Sequence, residues 1–147
     1  MRKLLYISDS GDGWRNLAVD ECFLNTLPPD CFLMYLYVNH RTIVIGKNQN
    51  AWRECDMRRM EANGVQLVRR FTGGGAVYHD TGNLNFSFIS GEHYDVSMQT
   101  RLIADTVRSF GISCEFTGRN DLTADGRKFS GSAYAKRRGV SLHHGTI

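Results

Sequence analysis

Three consecutive glycines, Gly73 to Gly75, follow two arginines, Arg69 and Arg70, in the stretch RRFTGGGAVYHD. Successive glycines can expose neighbouring backbone N–H groups, and such a concave nest holds phosphate or another anion. The arginines add positive charge beside it, although alternation along a strand predicts that only one of them faces the site. The stretch alone fits an ordinary glycine turn with two surface arginines equally well. It lacks the spacing of a Walker loop or of a dinucleotide-binding turn.

A second group of polar residues lies in the stretch GRNDLTADGRKFSGSAY. Asp121, which follows Asn120, offers the oxygen ligands that Mg²⁺ prefers, and Mg²⁺ commonly accompanies phosphates in proteins. Lys128 follows in a strand-like segment, where its charge can neutralise an anion that develops in a transition state. Taken alone, Lys128 is more typical of an exposed strand lysine, and the Asn120–Asp121 pair is more typical of a turn.

The histidines do not form a metal site by spacing. His143 and His144 are adjacent on a predicted strand, so their side chains point to opposite faces and do not bind one ion together. The cysteines form no CxxC pair and match neither a zinc site nor a disulfide framework; they are Cys22, Cys31, Cys55 and Cys114. We therefore predict structural or hydrogen-bonding roles for the histidines and free, reduced thiols.

The composition indicates one globular domain rather than a disordered chain, because 41% of the 147 residues are hydrophobic and 22% are charged. The net charge of +3 comes without a long basic run, so no nucleic-acid partner is predicted. The apolar part of the first ten residues is too short for a signal peptide, and no apolar run reaches the ~18 residues of a membrane span. The expected location is the cytoplasm, without membrane association.

The elements that must position these groups are strands and helices in mixed order. Apolar and β-branched runs predict strands at KLLYIS, CFLMYLYV, TIVIG, VQLVRRF, NLNFSFIS and VSLHHGTI. Between TIVIG and VQLVRRF, a glycine-bearing loop leads into a helix, and Asp125–Gly126 predicts a hairpin. The order predicts an α/β domain of the α+β type, with a central mixed β-sheet flanked by helices.

Two longer helices are predicted from apolar spacing. In the first, before Pro28, the predicted buried face is Leu17, Ala18, Phe23, Leu24 and Leu27. In the second, before Gly111, the predicted buried face is Leu102, Ile103, Thr106, Val107 and Phe110.

Taken together, the motifs resemble those of lipoate–protein ligases, within the lipoyl/biotinyl protein ligase superfamily. The matching stretches are NLAVDE (16–21), TIVIGKNQNAWRE (42–54), VRRFTGGGAVYHDTGNLNFSF (68–88), GRNDL (118–122), GRKFSGSAY (126–134) and HHGT (143–146). The resemblance covers nearly all of residues 1–147. Family members continue beyond HHGT, and many carry an accessory domain, so we expect a catalytic domain that is incomplete at its C-terminus and of impaired activity.

The resemblance also implies roles for individual residues. The catalytic residue is Lys128, which contacts the acyl carbonyl and phosphate oxygens. The residues implied to bind substrate or adenylate are Arg70, Gly73, Gly74, Gly75, Ala76, Val77, Tyr78, Asn83, Asn120, Asp121 and Lys128. Asp121 is implied to meet Mg²⁺ through the phosphate. His79 and His144 occupy motif positions without an assigned role. For an apolar acyl slot the candidates are Leu17, Val44, Phe86 and Ala133.

The implied reaction is ATP-dependent activation of lipoate or octanoate to an acyl-AMP, with ATP and Mg²⁺, followed by transfer to a protein lysine. The implied acceptors are lipoyl domains of 2-oxoacid dehydrogenase complexes or the H protein of glycine cleavage. One alternative is an ATP-independent octanoyl or lipoyl transferase of the same fold that uses a cysteine thioester. Another is an inactive fragment that binds only the acyl group or the nucleotide.

Overall fold

The computed structural model describes residues 1–117 and 121–147 and contains two β-sheets. Seven strands form the larger sheet, in the spatial order β1 (Arg2–Ile7), β2 (Cys31–Val38), β6 (Leu84–Ser90), β10 (Val140–Thr146), β9 (Arg127–Arg137), β8 (Asp121–Ala124), β7 (Glu115–Thr117). β1 and β2 are parallel and the other neighbours are antiparallel. The predicted mixed sheet is therefore confirmed, and β10 lies inside it, paired on both sides.

The smaller sheet was not expected as a separate unit. It has the order β4 (Gln66–Arg69), β3 (Thr42–Ile45), β5 (Val77–His79), with β3 parallel to β4 and antiparallel to β5. A turn after β2 carries the chain from one sheet to the other, and Arg41 in this turn has a positive φ of 43°. The segment that holds the three glycines connects β4 to β5, the two outer strands of this smaller sheet.

Two long helices cover opposite faces of the larger sheet. α1 (Gly13–Thr26) packs on one face, where Leu24 meets Leu33, Ile89 and Leu142. α4 (Val96–Ser109) packs on the other face, where its buried residues meet Phe86 and Phe88. Each helix begins at an aspartate whose carboxylate accepts backbone N–H bonds of the first turn, Asp12 for α1 and Asp95 for α4.

The buried face of α1 is more polar than predicted. Leu17, Leu24 and Leu27 are buried as expected and Phe23 is half-buried, but Ala18 is exposed. The remaining inward positions hold Asn16 and Asp20, both fully buried. A count of apolar residues misses these two positions because their polar side chains occupy the core and find hydrogen-bond partners there.

The same correction applies to α4. Ile103 and Val107 are buried as predicted, whereas Leu102, Thr106 and Phe110 face solvent. The fully buried Gln99 takes the position one turn before Ile103, since its Oε1 lies 3.0 Å from Nδ1 of the buried His143. The predicted apolar face was therefore rotated about the helix axis.

The segment between β3 and β4 forms two short helices rather than one. α2 (Ala51–Glu54) ends at Cys55, and α3 (Met57–Ala62) begins anew at Asp56, whose side chain accepts from Arg59 N. The hairpin at Asp125–Gly126 is confirmed, because both residues have positive φ, 50° and 71°, and join β8 to β9.

Within residues 1–117 and 121–147, neither the two long helices nor the short ones have the length and apolar character that a membrane crossing requires.

Candidate active site

A cavity of about 400 Å³ lies between the glycine loop, which we define as residues 70–76, and strands β9 and β10. This volume is in the range of small-molecule sites. Its walls come from α1, the glycine loop and strands of both sheets. The lining residues are Leu17, Tyr37, Val44, Arg70, Gly73, Gly74, Gly75, Ala76, Val77, His79, Asn85, Asp121, Lys128, Gly131, Ser132, Ala133, His144, Gly145 and Thr146. Segments far apart in sequence thus meet around one space.

Arg70 holds the glycine loop from inside. Its guanidinium donates to the backbone carbonyls of Gly73 at 2.8 Å, Gly75 at 2.7 Å and Val44 at 3.2 Å. The side chain is buried, and this burial lowers the pKa of Arg70. Four hydrogen bonds to carbonyls therefore satisfy most of its donors, and its charge acts on the cavity mainly through space.

The neighbouring Arg69 points the other way, as strand alternation predicts. Its Nη1 donates to the carbonyls of Gly46, Lys47 and Gln49, at 3.1, 3.2 and 2.7 Å. Arg69 is exposed and is not among the lining residues. Of the two arginines, Arg70 is the one that faces the site.

Only one of the three glycines is required by the backbone itself. Gly74 has φ of +99°, and a Cβ there would lie 2.7 Å from the Arg70 Nη2. At Gly73 and Gly75 an added Cβ would meet nothing within 4 Å. The loop packs tightly from behind, since a Cβ on Gly46 would lie 2.1 Å from the Gly74 carbonyl oxygen. Gly73 and Gly75 line the cavity, and a side chain at either would meet no other atom of the folded chain.

Lys128 and Asp121 form an ion pair at the cavity wall, with 2.9 Å between Nζ and Oδ1. Asp121 pairs with Gly131 across the β8–β9 ladder, whereas Lys128 pairs with Thr123, and the register shifts between Leu122 and Thr123. Lys128 and Gly131 are three residues apart, so this irregularity brings Lys128 to the face that holds Asp121. A Cβ on Gly131 would lie 3.1 Å from the Lys128 Nζ.

One wall of the cavity is largely apolar. Leu17, Val44 and Ala133 line it as predicted, and Tyr37 joins them. Phe86, the fourth candidate for the acyl slot, is absent from the lining and packs in the core beside α4 instead. Burial raises the pKa of the Tyr37 hydroxyl well above its usual value, so this wall offers a neutral surface to an apolar chain.

His144 is held at both ring nitrogens. Nδ1 lies 2.8 Å from Oδ2 of the fully buried Asp20, and Nε2 lies 2.7 Å from the Thr72 hydroxyl. Asp20 comes from α1 and Thr72 from the glycine loop, so His144 connects the helix, the loop and β10. The ring lines the cavity with its orientation fixed by these two bonds.

His79 also lines the cavity. Its Nδ1 lies 3.1 Å from the Asn39 Nδ2, and its Nε2 is buried without a hydrogen-bond partner. Burial, with additional repulsion from Arg70 and His144, lowers the pKa of His79 to about 4. The ring is therefore neutral near pH 7.

The structure brings most of the predicted binding residues together and places two, Tyr78 and Asn83, outside the cavity lining. Tyr78 lies on the opposite face of β5, where it lines a separate open hollow of about 710 Å³ with His40 and Arg41. Asn83 is outside the lining and donates to Asn85 Oδ1 at 3.2 Å. Asn120 lies outside the described residues. Alternation along β5 accounts for Tyr78, because Val77 and His79 take the cavity face.

Sequence reasoning missed several lining residues, namely Tyr37, Asn85, Gly131, Ser132, Gly145 and Thr146. Position along the strands was the available signal. In β10, His144 and Thr146 share one face, and in β9 Gly131 to Ala133 directly follow the GRKFS motif. None of the four cysteines lines the cavity, and Cys114 is buried against Ala104 of α4. The part of the chain that the structure describes contains no cluster of three His, Cys, Asp or Glu residues suited to a metal.

Comparison with known proteins shows extensive similarity. The family described as the lipoyl protein ligase A/B catalytic domain matches residues 12–147. Among solved structures, LipL1 of P. falciparum in complex with lipoate has 38% identity and a TM-score of 0.93 over 99% of this chain. Lipoate-protein ligase A bound with ATP has 31% identity and a TM-score of 0.89 over the whole chain.

A third similar structure is an archaeal bipartite lipoate protein ligase from Thermoplasma acidophilum, described with its E2 lipoyl domain, with 33% identity and a TM-score of 0.86 over the whole chain. This chain spans 47%, 66% and 61% of the lengths of these three proteins, respectively. The matched range, the identities and the shared mixed sheet agree with one another. This chain therefore belongs to the lipoyl protein ligase A/B catalytic domain family.

Proposed function

We propose that this chain activates lipoate, or the related octanoate, with ATP to form an acyl-adenylate and transfers the acyl group to a lysine of a lipoyl-domain protein. The observation that carries the proposal is one cavity that combines an apolar wall, an open glycine surface and a lysine–aspartate pair. The similar structures with bound lipoate and with bound ATP support this proposal.

The first step brings a carboxylate against an α-phosphate. A carboxylate oxygen forms a bond to the phosphorus, and pyrophosphate leaves. Two unit charges 4 Å apart repel by roughly 1–4 kcal/mol in surroundings between water and a protein surface. Lys128 offsets this repulsion directly, because its ammonium group lies on the cavity wall and is exposed enough to turn from Asp121 to the ligand. Arg70 adds a fixed positive charge behind the glycine loop.

The glycine loop supplies the surface for the nucleotide. Since Gly73 and Gly75 line the cavity without side chains, a phosphate or ribose can approach the backbone closely. Asn120 and Asn83 remain proposed nucleotide contacts by resemblance, as do Ala76, Val77 and Tyr78. Because the Tyr78 side chain lies on the other face of β5, it would contact only a part of the nucleotide that extends past the edge of this strand.

Asp121 is the carboxylate on the cavity wall within residues 1–117 and 121–147. Mg²⁺ commonly binds through one or two carboxylates together with substrate phosphates and waters. One exposed carboxylate suits an ion that arrives with the nucleotide, and Asp121 would hold it. When bound, the ion neutralises phosphate charge.

In the second step the acceptor lysine attacks the acyl carbonyl and AMP leaves. Lys128 then donates from Nζ to the oxyanion that develops on this carbonyl. Its own role is electrostatic, since its ammonium carries no free electron pair for attack. We propose as acceptors the lipoyl domains of 2-oxoacid dehydrogenase complexes or the glycine-cleavage H protein; the relative described with an E2 lipoyl domain supports this class.

The test is adenylate formation by the purified chain. We expect lipoyl-AMP or octanoyl-AMP to appear by mass spectrometry after incubation with the acid, ATP and Mg²⁺. Lys128→Ala should lower its rate about 10²- to 10³-fold, the usual effect of removing one electrostatic stabiliser of a transition state. Lys136→Ala is the matched control, since Lys136 lies exposed on the same strand away from the cavity.

Equal rates for the two variants would contradict the role given to Lys128. A folded protein that forms no adenylate, yet transfers octanoate from an octanoylated carrier protein and loses this activity on thiol alkylation, would contradict the ATP mechanism. It would favour the cysteine-thioester transferase instead.

A further inference from the structure

A line of hydrogen-bonded polar side chains runs from Ser8, which lies between β1 and α1, to the cavity. Ser8 Oγ donates to Asn16 Oδ1 at 2.6 Å, and Asn16 Nδ2 donates to Asn39 Oδ1 at 2.9 Å. Asn39 Nδ2 then lies 3.1 Å from the His79 Nδ1. Asn16 and Asn39 are fully buried, so each bond in the line restricts the next.

This line determines which nitrogen of His79 carries the proton. Asn39 Oδ1 already accepts from Asn16, and its amide nitrogen therefore faces His79. An amide N–H only donates, so the His79 Nδ1 must accept and the ring proton lies on Nε2. The neutral form prevails near pH 7, because the pKa of His79 is lowered to about 4.

The Nε2–H donor of His79 has no partner, although the residue is only 4% exposed. Five buried side-chain atoms lack a partner in the part of the chain that the structure describes; they belong to Asp20, His79, Ser87, Ser90 and Gln99. Of these residues, His79 is the one that lines the cavity. An unsatisfied buried donor is costly, and a donor beside a cavity can be satisfied by a ligand.

We propose that His79 is a ligand-binding residue that donates a hydrogen bond from Nε2 to an oxygen of the molecule bound in this cavity. The assignment rests on the proposed function for the nature of that molecule. The acceptor is an oxygen of the acyl acid or of the nucleotide, and either accepts from a neutral N–H in the same way. His79 thus differs from Lys128 and Arg70, because its neutral N–H group orients the bound ligand without adding charge to the cavity.

Two variants separate ligand binding from structural support. His79→Asn retains an acceptor near the position of Nδ1 for Asn39 but lacks the distal donor. His79→Gln places an amide N–H near the position of Nε2. We expect His79→Asn to weaken binding of one ligand about tenfold, the usual effect of one lost hydrogen bond, and His79→Gln to stay within about threefold of the unaltered protein.

Calorimetric titrations with lipoate and with ATP–Mg²⁺ are made separately. A loss confined to lipoate assigns the oxygen to the acyl acid, and a loss confined to ATP assigns it to the nucleotide; both results support the proposal. The opposite pattern overturns it: normal binding of both ligands by His79→Asn together with impaired binding by His79→Gln shows that His79 only supports Asn39.

A measurement on the unaltered protein keeps the test independent of folding. Spectra of ¹⁵N-histidine-labelled protein should show His79 as the Nε2–H tautomer and a shift of this proton when lipoate or ATP is added. If adenylate forms and the His79 signal does not move, the His79 assignment fails and the proposed function stands. If the signal moves and no adenylate forms, the proposed function fails and the assignment stands. If neither is observed, both are wrong.

Discussion

At the scale of single residues, Arg69 and Arg70 show how adjacent residues of one type acquire different roles. The side chain of Arg70 is enclosed and bridges the glycine loop to Val44, whereas Arg69 lies exposed over the segment after β3. Both donate to backbone carbonyls. Burial makes the difference, because a charged donor away from water loses more when its partners are removed.

We predict that Arg70→Lys destabilises the protein although it keeps the charge. A lysine ammonium cannot reproduce the planar fork that reaches Gly73, Gly75 and Val44. Hydrogen bonds to charged groups contribute about 1.5–3 kcal/mol each, so a fall of roughly 2–3 kcal/mol in unfolding free energy is expected. Urea denaturation measures it, with Arg69→Lys as the control. Equal losses in the two variants would refute the structural role of Arg70.

At the scale of elements, the glycine loop combines one glycine that the fold requires with two that it does not. Gly74 needs its positive φ and the space next to Arg70, whereas Gly73 and Gly75 face open space. A glycine that lines the cavity although a side chain there would disturb nothing in the folded chain is best explained by close approach of a ligand.

Substituting the three glycines singly tests this division. Gly74→Ala should lower the thermal midpoint, because an L side chain is strained at φ of +99°. Gly73→Ala and Gly75→Ala should leave the thermal midpoint nearly unchanged, and at least one of them should weaken ATP binding about tenfold or more by filling the cavity. Differential scanning calorimetry and titration calorimetry measure the two effects. Full ATP affinity in both outer variants would count against a nucleotide on this loop.

At the scale of the whole molecule, two buried histidines make stability depend on pH. Burial lowers the pKa of both His79 and His143 to about 4, from 6.5. Both bond to neutral groups, His79 to Asn39, and His143 to Gln99 and Ser132. They serve different parts of the fold, since one lines the cavity and the other holds α4 to the larger sheet.

We predict that acidification from pH 7.5 to 5 lowers the unfolding free energy by about 2 kcal/mol for each of these histidines. The folded pKa is the lower one, so the unfolded chain takes up protons first. The stability is complete above pH 6.5 and is lost as the pH falls toward 4. Urea denaturation across this range measures the slope, which His143→Gln should reduce. A flat profile would contradict the neutral, buried state of both rings.

Several features could be predicted from the sequence because they depend on local chemistry. Alternating and β-branched runs identified β1 to β4, β6 and β10, Asp125–Gly126 determined a hairpin, and Pro28 ended α1. Motif residues such as Lys128, Asp121 and the glycines indicated the site, since their types and order are unusual together. These signals need only neighbouring residues, and a linear sequence contains them in full.

Other features depended on the tertiary structure because they require contacts between distant segments. The separate small sheet, the inward positions of Gln99 and Asp20, and the turning of Tyr78 away from the cavity follow from pairing partners and available space. The same holds for the tautomer of His79, which a chain of bonds through Asn39 imposes. The sequence by itself determined which groups are present and which elements hold them; packing alone decided which of their atoms face the cavity, because burial and hydrogen-bond partners exist only once the two sheets and α1 have come together.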